Sequence, residues 1–175
     1  ILSRLIYGTK LSLSVSFISV FIGAVVGTLL GLISGYFGGI LDRFIMRSSD
    51  VMFAFPDLIL AIAIVAILGP GLTNVVIAIA VFSVPSFARL IRGETLEVKE
   101  SVFVEAAKSM GEKKRRIISK HIFPETFSSL IVFFTMRMGT AILAVASLSF
   151  LGLGASPETP DWGVMLSLGR DYLGT

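Results

Sequence analysis

The sequence predicts an all-α protein, a bundle of helices that crosses a membrane four times. Hydrophobic residues make up 54% of the 175 residues and charged residues only 15%, whereas soluble domains carry roughly 25% charged residues. The mean hydropathy is +0.90, and several long stretches contain no charge. Such a chain has too few polar side chains to cover a water-facing surface, which excludes a soluble enzyme and a disordered tail.

The first predicted span covers residues 11–33, inside a longer uncharged stretch at 11–41. A bilayer core needs about 20 apolar residues in a helix, so this stretch contains one crossing. Gly23, Gly27 and Gly31 recur at a four-residue spacing. Small residues at this spacing indicate close packing against another helix or, alternatively, a dimerisation face.

Glycines in the segment 35–39 end the first helix, and a short amphipathic elbow follows at 40–50. The second span covers about 51–68. Pro56 removes a backbone donor and is expected to kink or restart the helix. Asp57 lies at that restart, where a helix N-terminus favours negative charge, and capping is the preferred interpretation over a role in a transport path.

Two further spans complete the predicted bundle. A turn at 69–71 joins the second span to the third, at about 72–88, so these two spans form a helical hairpin. The fourth span covers about 126–155. The tail, 156–175, is predicted to be a loop in which Trp162 anchors the chain at the membrane interface.

The distribution of basic residues predicts the orientation. Nine of the fifteen Lys and Arg residues lie between residues 89 and 120, so the positive-inside bias puts this segment in the cytoplasm. The net charge of +3 therefore reflects orientation and not nucleic-acid binding. With no cysteine and one histidine, His121, disulfides and a His- or Cys-rich metal site are excluded. His121 is interpreted as a packing residue in preference to a pH sensor.

The segment 89–124 predicts a helix, a glycine turn and a second helix. Four residues at i, i+3, i+4 and i+7 form an apolar helical face: Phe103, Ala106, Ala107 and Met110. Gly111 permits the turn, and Pro124 ends the segment. The hairpin could lie on anionic lipid headgroups, or it could be a docking element for a cytoplasmic protein with an apolar ridge and a charged rim.

The motif Glu105-Ala106-Ala107, followed by Gly111 and by Ile122-Phe123-Pro124, resembles the EAA loop of binding-protein-dependent ABC importer permeases. Phe123 departs from the Leu of many members. Further segments resemble the dipeptide, oligopeptide, glutathione and nickel branch of this family, and they cover nearly the whole chain: 3–8, 35–39, 54–56, 67–71, 88–93, 147–152 and 157–163. Such permeases have six spans, so the chain is expected to lack the first and the last.

The resemblance implies that residues 89–124 are the coupling loop and that the region around Ala106 to Lys113 docks in the groove of a cytoplasmic ATPase subunit. The implied coupling residues are Glu105, Ala106, Ala107, Gly111 and Lys113. Glu105 would bond a basic group of the ATPase, and the alternative is an intrahelical pair with Lys108. The implied partners are ABC ATPase subunits, a second permease subunit, an extracytoplasmic solute-binding protein and the lipid bilayer, with no nucleic acid.

Catalysis is not expected in this chain. It has no Gly-x-x-x-x-Gly-Lys loop to hold ATP phosphates, no catalytic cluster and no metal ligands. By resemblance, ATP and Mg²⁺ bind to the partner ATPase subunits, and this chain has no cofactor of its own. The expected location is the cytoplasmic (inner) membrane, with several spans and the coupling loop in the cytoplasm.

Arg137 interrupts the fourth span, and a charge there faces the bundle interior or a water-filled path. It could contact an anionic substrate group in the translocation path, or it could form a structural pair or bond backbone carbonyls, which is preferred.

The expected function is a permease subunit of an importer for small peptides, namely dipeptides, oligopeptides or glutathione. The segment 133–140 is most similar to glutathione-type members. The alternatives are a nickel or other small-solute permease, a self-contained channel or secondary transporter, and a membrane-anchored scaffold.

Overall fold

The computed structural model describes residues 2–156 and 158–170, and within these ranges the regular structure is entirely helical. This confirms the predicted all-α class. The helices are α1 (Leu2–Phe37), α2 (Gly39–Phe53), α3 (Asp57–Leu68), α4 (Leu72–Lys99), α5 (Val102–Ser109), α6 (Lys114–Ile117), a π-helical turn (Ile118–Ile122), α7 (Phe123–Phe150) and α8 (Trp162–Arg170).

Three continuous helical stretches of the described chain are long and apolar enough to cross a bilayer. They are α1, α4 and the stretch from Lys114 to Phe150 that contains α7. The broken pair α2 and α3 is a fourth candidate when it is counted as one span. The fold is therefore the predicted polytopic helical bundle.

Glycine and proline break the helices at predicted places. α1 ends at Phe37, after which Gly38 and Gly39 both adopt φ +63°, a left-handed conformation that glycine tolerates best. α3 begins at Asp57, directly after Pro56. Pro56 fixes its own φ near the helical value and needs no donor at this position, which explains the predicted restart.

Several bounds differ from the prediction. The elbow is not a short turn, because α2 runs as a regular helix to Phe53. α4 continues past residue 88 to Lys99, so the first third of the predicted loop 89–124 is helix. α7 ends at Phe150 rather than near residue 155, because the chain turns at Gly152 with φ +78°.

The tail was predicted to be a loop, and this prediction is wrong for Trp162–Arg170, which form α8. Asp161 is fully buried and precedes the helix. Its carboxylate accepts the Gly163 N–H at 3.1 Å and the Ser12 hydroxyl at 2.7 Å. Trp162 packs on α1, since a Cβ added at Gly8 would lie 3.1 Å from its Cδ1. Trp162 is therefore a packing residue of this helix and not only an interfacial anchor.

The chain forms two compact units. One comprises residues up to 23, 55–82 and from 136 onward, and the other comprises 24–54 and 83–135. The second unit contains all the predicted coupling residues, and the first contains Arg137.

Gly27 and Gly31, two of the three glycines of the α1 repeat, pack against α4 within the second unit. A Cβ added at Gly27 would lie 2.6 Å from the Val84 carbonyl oxygen, and one added at Gly31 would lie 2.7 Å from the Ala88 carbonyl oxygen. Real Cβ atoms essentially never approach this closely. The repeat therefore serves close helix packing inside the chain, as the first of the two interpretations predicted.

Candidate functional site

A glycine turn fixes the centre of the predicted coupling segment. α5 ends at Ser109, and Gly111 adopts φ +77°. Its N–H donates to the Lys108 carbonyl at 3.0 Å, and the Glu112 N–H donates to the Ala107 carbonyl at 3.1 Å. These bonds satisfy the last carbonyls of α5 in the manner of a glycine C-terminal cap. The predicted order of helix, glycine turn and helix is confirmed.

The predicted apolar face of α5 is divided between two sides of the helix. Ala107 is 1% exposed, and it packs in an apolar core with Val104, Ile117 and Ile122. Phe103 and Met110 instead lie on the outside, 46% and 79% exposed. The prediction of one continuous face was therefore wrong, because Val104 and not Phe103 completes the buried side.

The outer side of α5 carries an exposed apolar surface, which His121 borders at Phe103. We call it the coupling ridge, and its members are Val102, Phe103, Ala106 and Met110, all of them exposed. Glu105, Lys108 and Lys113 are exposed charged residues of the same segment. The structure therefore brings the predicted residues together, with Ala107 facing inward and the others outward.

The alternative partner proposed for Glu105 does not bind it. Lys108 Nζ donates to the Lys99 carbonyl at 3.2 Å, and within residues 2–156 and 158–170 no ion pair joins Glu105 to Lys108. Lys108 thus ties α5 to the end of α4. The Glu105 carboxylate lies at the surface beside the ridge.

Glu112, which sequence reasoning missed, holds two side chains that follow it. Its Oε1 lies 3.0 Å from Arg116 Nε and its Oε2 lies 2.8 Å from His121 Nε2. The His121 ring also lies beside the Phe103 ring, with centroids 6.4 Å apart. His121 therefore does more than fill space, since it links Glu112 to the coupling ridge.

Ion pairs join α2 to α4 in the same unit. Arg92 Nη2 donates to Asp42 Oδ2 at 2.7 Å, and the Ser34 hydroxyl donates to the same carboxylate. Arg89 pairs with Asp50 at 2.6 Å. Arg89 and Arg92, both of the predicted basic cluster, therefore pair with acidic residues of α2.

Arg137 forms an ion pair within the protein, which was the preferred interpretation of this charged residue in the fourth span. Its Nη1 donates to Asp57 Oδ2 at 3.2 Å, and the guanidinium lies 5.7 Å from the centroid of the Phe82 ring. The Arg137 side chain is 14% exposed and that of Asp57 is 47% exposed. Asp57 thus begins α3 as predicted and also neutralises Arg137, a partnership that the sequence did not indicate.

No cluster of His, Asp or Glu side chains suited to a metal ion occurs in the part of the chain that the structure describes. In the second unit, Arg89 and Arg92 of α4 pair with acidic residues of α2, and the apolar ridge on α5 is exposed.

Comparison with known proteins gives a consistent result. The family described as "Binding-protein-dependent transport system inner membrane component" matches residues 27–173. The glutathione transport system permease proteins GsiD of Escherichia coli O157:H7 and Shigella boydii serotype 4 are each 56% identical over 170 residues, 97% of this chain. The alignment covers 56% of each relative, so the chain spans a little over half their length.

Solved structures of lower identity share the fold. Two inward-facing structures of the MetNI methionine ABC transporter superpose with TM-scores of 0.79 and 0.74, each at 22% identity. Each superposition covers 98% of this chain, and they cover 82% and 91% of the respective transporter chains.

Proposed function

Because the chain belongs to the family of binding-protein-dependent transport system inner membrane components, we propose that it is a permease subunit of an ATP-driven ABC importer. In this proposal the chain forms part of the membrane path and pairs with a second permease subunit. Two cytoplasmic ATPase subunits bind ATP and Mg²⁺, and an extracytoplasmic protein delivers the solute. The chain itself performs no chemistry on ATP.

The coupling ridge is the observation that carries the proposal. Val102 and Met110 are 83% and 79% exposed, and burying such side chains against a partner is worth about 25 cal/mol for each Å² of apolar surface. The ridge stands on a helix whose inner side is anchored by Val104 and Ala107. A rigid element with an apolar outer face suits transmission of force from an ATPase groove, with Glu105 as the charged contact.

The proposed substrate rests on the names of the relatives. The curated relatives named above are glutathione permeases at 56% identity, which supports glutathione or another small peptide. Arg137 is proposed to lie beside the path, with its charge balanced by Asp57. A neutralised pair reduces the free energy needed to hold a charge in a membrane. Nickel remains the alternative solute, from the branch that the sequence resembles.

The test uses the full-length permease with its ATPases, partner permease and binding protein in lipid vesicles. Uptake of glutathione, a dipeptide and nickel is measured in parallel with and without ATP. We expect ATP-dependent uptake of glutathione or the dipeptide. The Glu105→Lys variant should lower that uptake by about tenfold, since it places a like charge against the basic group proposed in the ATPase groove.

Glu100→Lys provides the matched control, because Glu100 is equally exposed but lies outside α5. It should transport at nearly the normal rate. ATP-independent solute flux through the purified chain would instead favour a channel or secondary transporter. Normal uptake by Glu105→Lys would remove the coupling role from this residue while leaving the importer assignment intact.

A further inference from the structure

Glu112 uses both carboxylate oxygens to hold the two helical segments that follow the glycine turn. Arg116 belongs to α6 and His121 to the π-helical turn, and the two bond lengths are 3.0 and 2.8 Å. The Glu112 side chain is 19% exposed, and those of Arg116 and His121 are 61% and 32% exposed, so the bond to His121 is the better shielded from water and the stronger of the two. We call Glu112, Arg116 and His121 the clasp.

The π-helical turn explains how two residues spaced by five can face one carboxylate. In an ideal α-helix, residues five apart differ in direction by about 140°, since each residue turns the chain by about 100°. The Phe123 N–H bonds the Ile118 carbonyl, five residues earlier. This wider turn brings His121 closer to the side on which Arg116 lies.

Pro124 provides a reason for the wider turn. It is the second residue of α7 and directly follows the π turn. Proline has no N–H to donate, and in a regular α-helix its ring would collide with the carbonyl four residues earlier. Widening the preceding turn relieves that collision. Pro124 therefore favours the wider turn in which His121 lies.

The clasp is connected to the ridge at its other end. The His121 ring lies beside Phe103, with a tilt of 44° between the ring planes, and Phe103 is a ridge residue. Glu112 N–H also bonds Ala107 on α5. One residue thus contacts the helix before the turn through its backbone and both segments after it through its side chain.

We propose that Glu112 is a positioning residue for ATPase coupling. Its clasp fixes the angle between α5 and the helix that enters α7. A displacement of the ridge is then transmitted to α7 and is not lost through bending at Gly111. This inference rests on the proposed function. Apolar packing of Val104 and Ala107 already joins α5 to α6 and the π turn, and the clasp adds directional polar contacts between the same elements.

The test uses the complete transporter in vesicles, with ATP hydrolysis and glutathione uptake measured on the same sample. In Glu112→Gln we expect the solute imported per ATP hydrolysed to fall about fivefold, within the range by which a coupling residue changes the link between two sites. The amount of permease in the membrane and the ATPase subunits that copurify with it should not change. Glu100→Gln, at an exposed position of the same unit, is the control and should couple normally.

A reversed pair separates positioning from simple structural loss. Glu112→His combined with His121→Glu restores one ion pair and should recover at least half of the lost coupling, whereas either single change should not. Pro124→Ala, which removes the reason for the π turn, should lower coupling in the same way. Normal coupling in Glu112→Gln, or no recovery in the reversed pair, would overturn the proposal.

Hydrogen exchange of the backbone at 111–122 gives a readout that does not depend on transport. Glu112→Gln should exchange about tenfold faster there if each lost bond contributes about 1 kcal/mol to local stability. Unchanged exchange would overturn the clasp even if no solute were transported. A wild-type transporter that imports none of the tested solutes, yet shows the exchange difference, would count against the proposed function and not against the clasp.

Discussion

Small residues occur at helical spacing on α1 and on α5 of the same unit, and the two helices differ in how deeply these residues are buried. On α1, Gly27 and Gly31 are buried so closely against α4 that an added Cβ would meet backbone atoms. On α5, Ala106 is exposed, and its neighbour Ala107 is buried. The comparison teaches that small residues at helical spacing mark either a contact within the chain or a surface open to a partner. Burial distinguishes the two, and spacing does not.

Replacing Gly31 by Val tests the buried side of this comparison and should have the largest effect on folding. The new side chain would collide with the Ala88 carbonyl at 2.7 Å and with Ile91 Cβ at 2.9 Å. Neither is the end of a flexible side chain, so the helices must separate, and we expect a loss of about 3 kcal/mol in the free energy of unfolding. Denaturant unfolding in detergent micelles measures it.

Gly93→Ala is the matched control for Gly31→Val. Gly93 is also a helical glycine, on α4, but an added Cβ would meet no atom within 4 Å. Alanine there should stabilise the helix by about 0.5–1 kcal/mol. Equal destabilisation by the two changes would show that the close approach of α1 and α4 is not what requires glycine.

The sequence predicts the helical class and most of the breaks, because apolar runs, Gly38, Gly39 and Pro56 act through local geometry. It does not predict the end of α4, since the charged residues after position 88 suit an exposed helix as well as a loop. α8 was missed for a related reason. Asp161 signals a helix N-terminus, but two prolines nearby favour a loop, and only packing against α1 decides between them.

The site was predictable where it depends on a motif and unpredictable where it depends on long-range contacts. Glu105 and Gly111 were proposed as site residues because their motif resembles the EAA loop. The pair of Arg137 with Asp57 joins residues 80 positions apart, which a single sequence does not reveal. The sequence gives a weak signal for Glu112, because Arg116 follows four residues later. The contact with His121 depends on the π turn before Pro124, and the sequence does not show that the helix continues through this proline.

Gly111 requires glycine for its backbone conformation, whereas Gly31 requires it for close packing. Replacing Gly111 should therefore destabilise the fold less than replacing Gly31. Its φ of +77° lies in the left-handed region, and nothing lies within 4 Å of an added Cβ. Gly111→Val should therefore cost about 1–2 kcal/mol through backbone strain alone. Uptake should fall by more than this loss of stability alone would cause, because the turn sets the direction of α5.

Gly111→Asn separates conformation from side-chain size. Asparagine adopts the left-handed region more readily than valine, so this variant should keep most of the uptake that Gly111→Val loses. Vesicle uptake divided by the amount of permease in the membrane is the quantity to compare. Equal loss in both variants would point to a contact made by glycine itself and not to the turn.

Met110 tests the exposed side of the comparison and should have the smallest effect on folding. Its side chain is 79% exposed, so Met110→Ser removes little buried apolar surface, and the free energy of unfolding should change by less than about 0.5 kcal/mol. If the coupling ridge docks in an ATPase groove, the same change should weaken ATPase binding by about tenfold, as expected for an apolar residue buried at an interface.

Leu151→Ser, at a residue that is 54% exposed outside the ridge, should leave ATPase binding unchanged. Copurification of the ATPase subunits with each variant measures the difference. Equal retention by the two variants would mean that exposure on α5 reflects contact with solvent or lipid, and the contrast between the two helices would then lose its functional meaning.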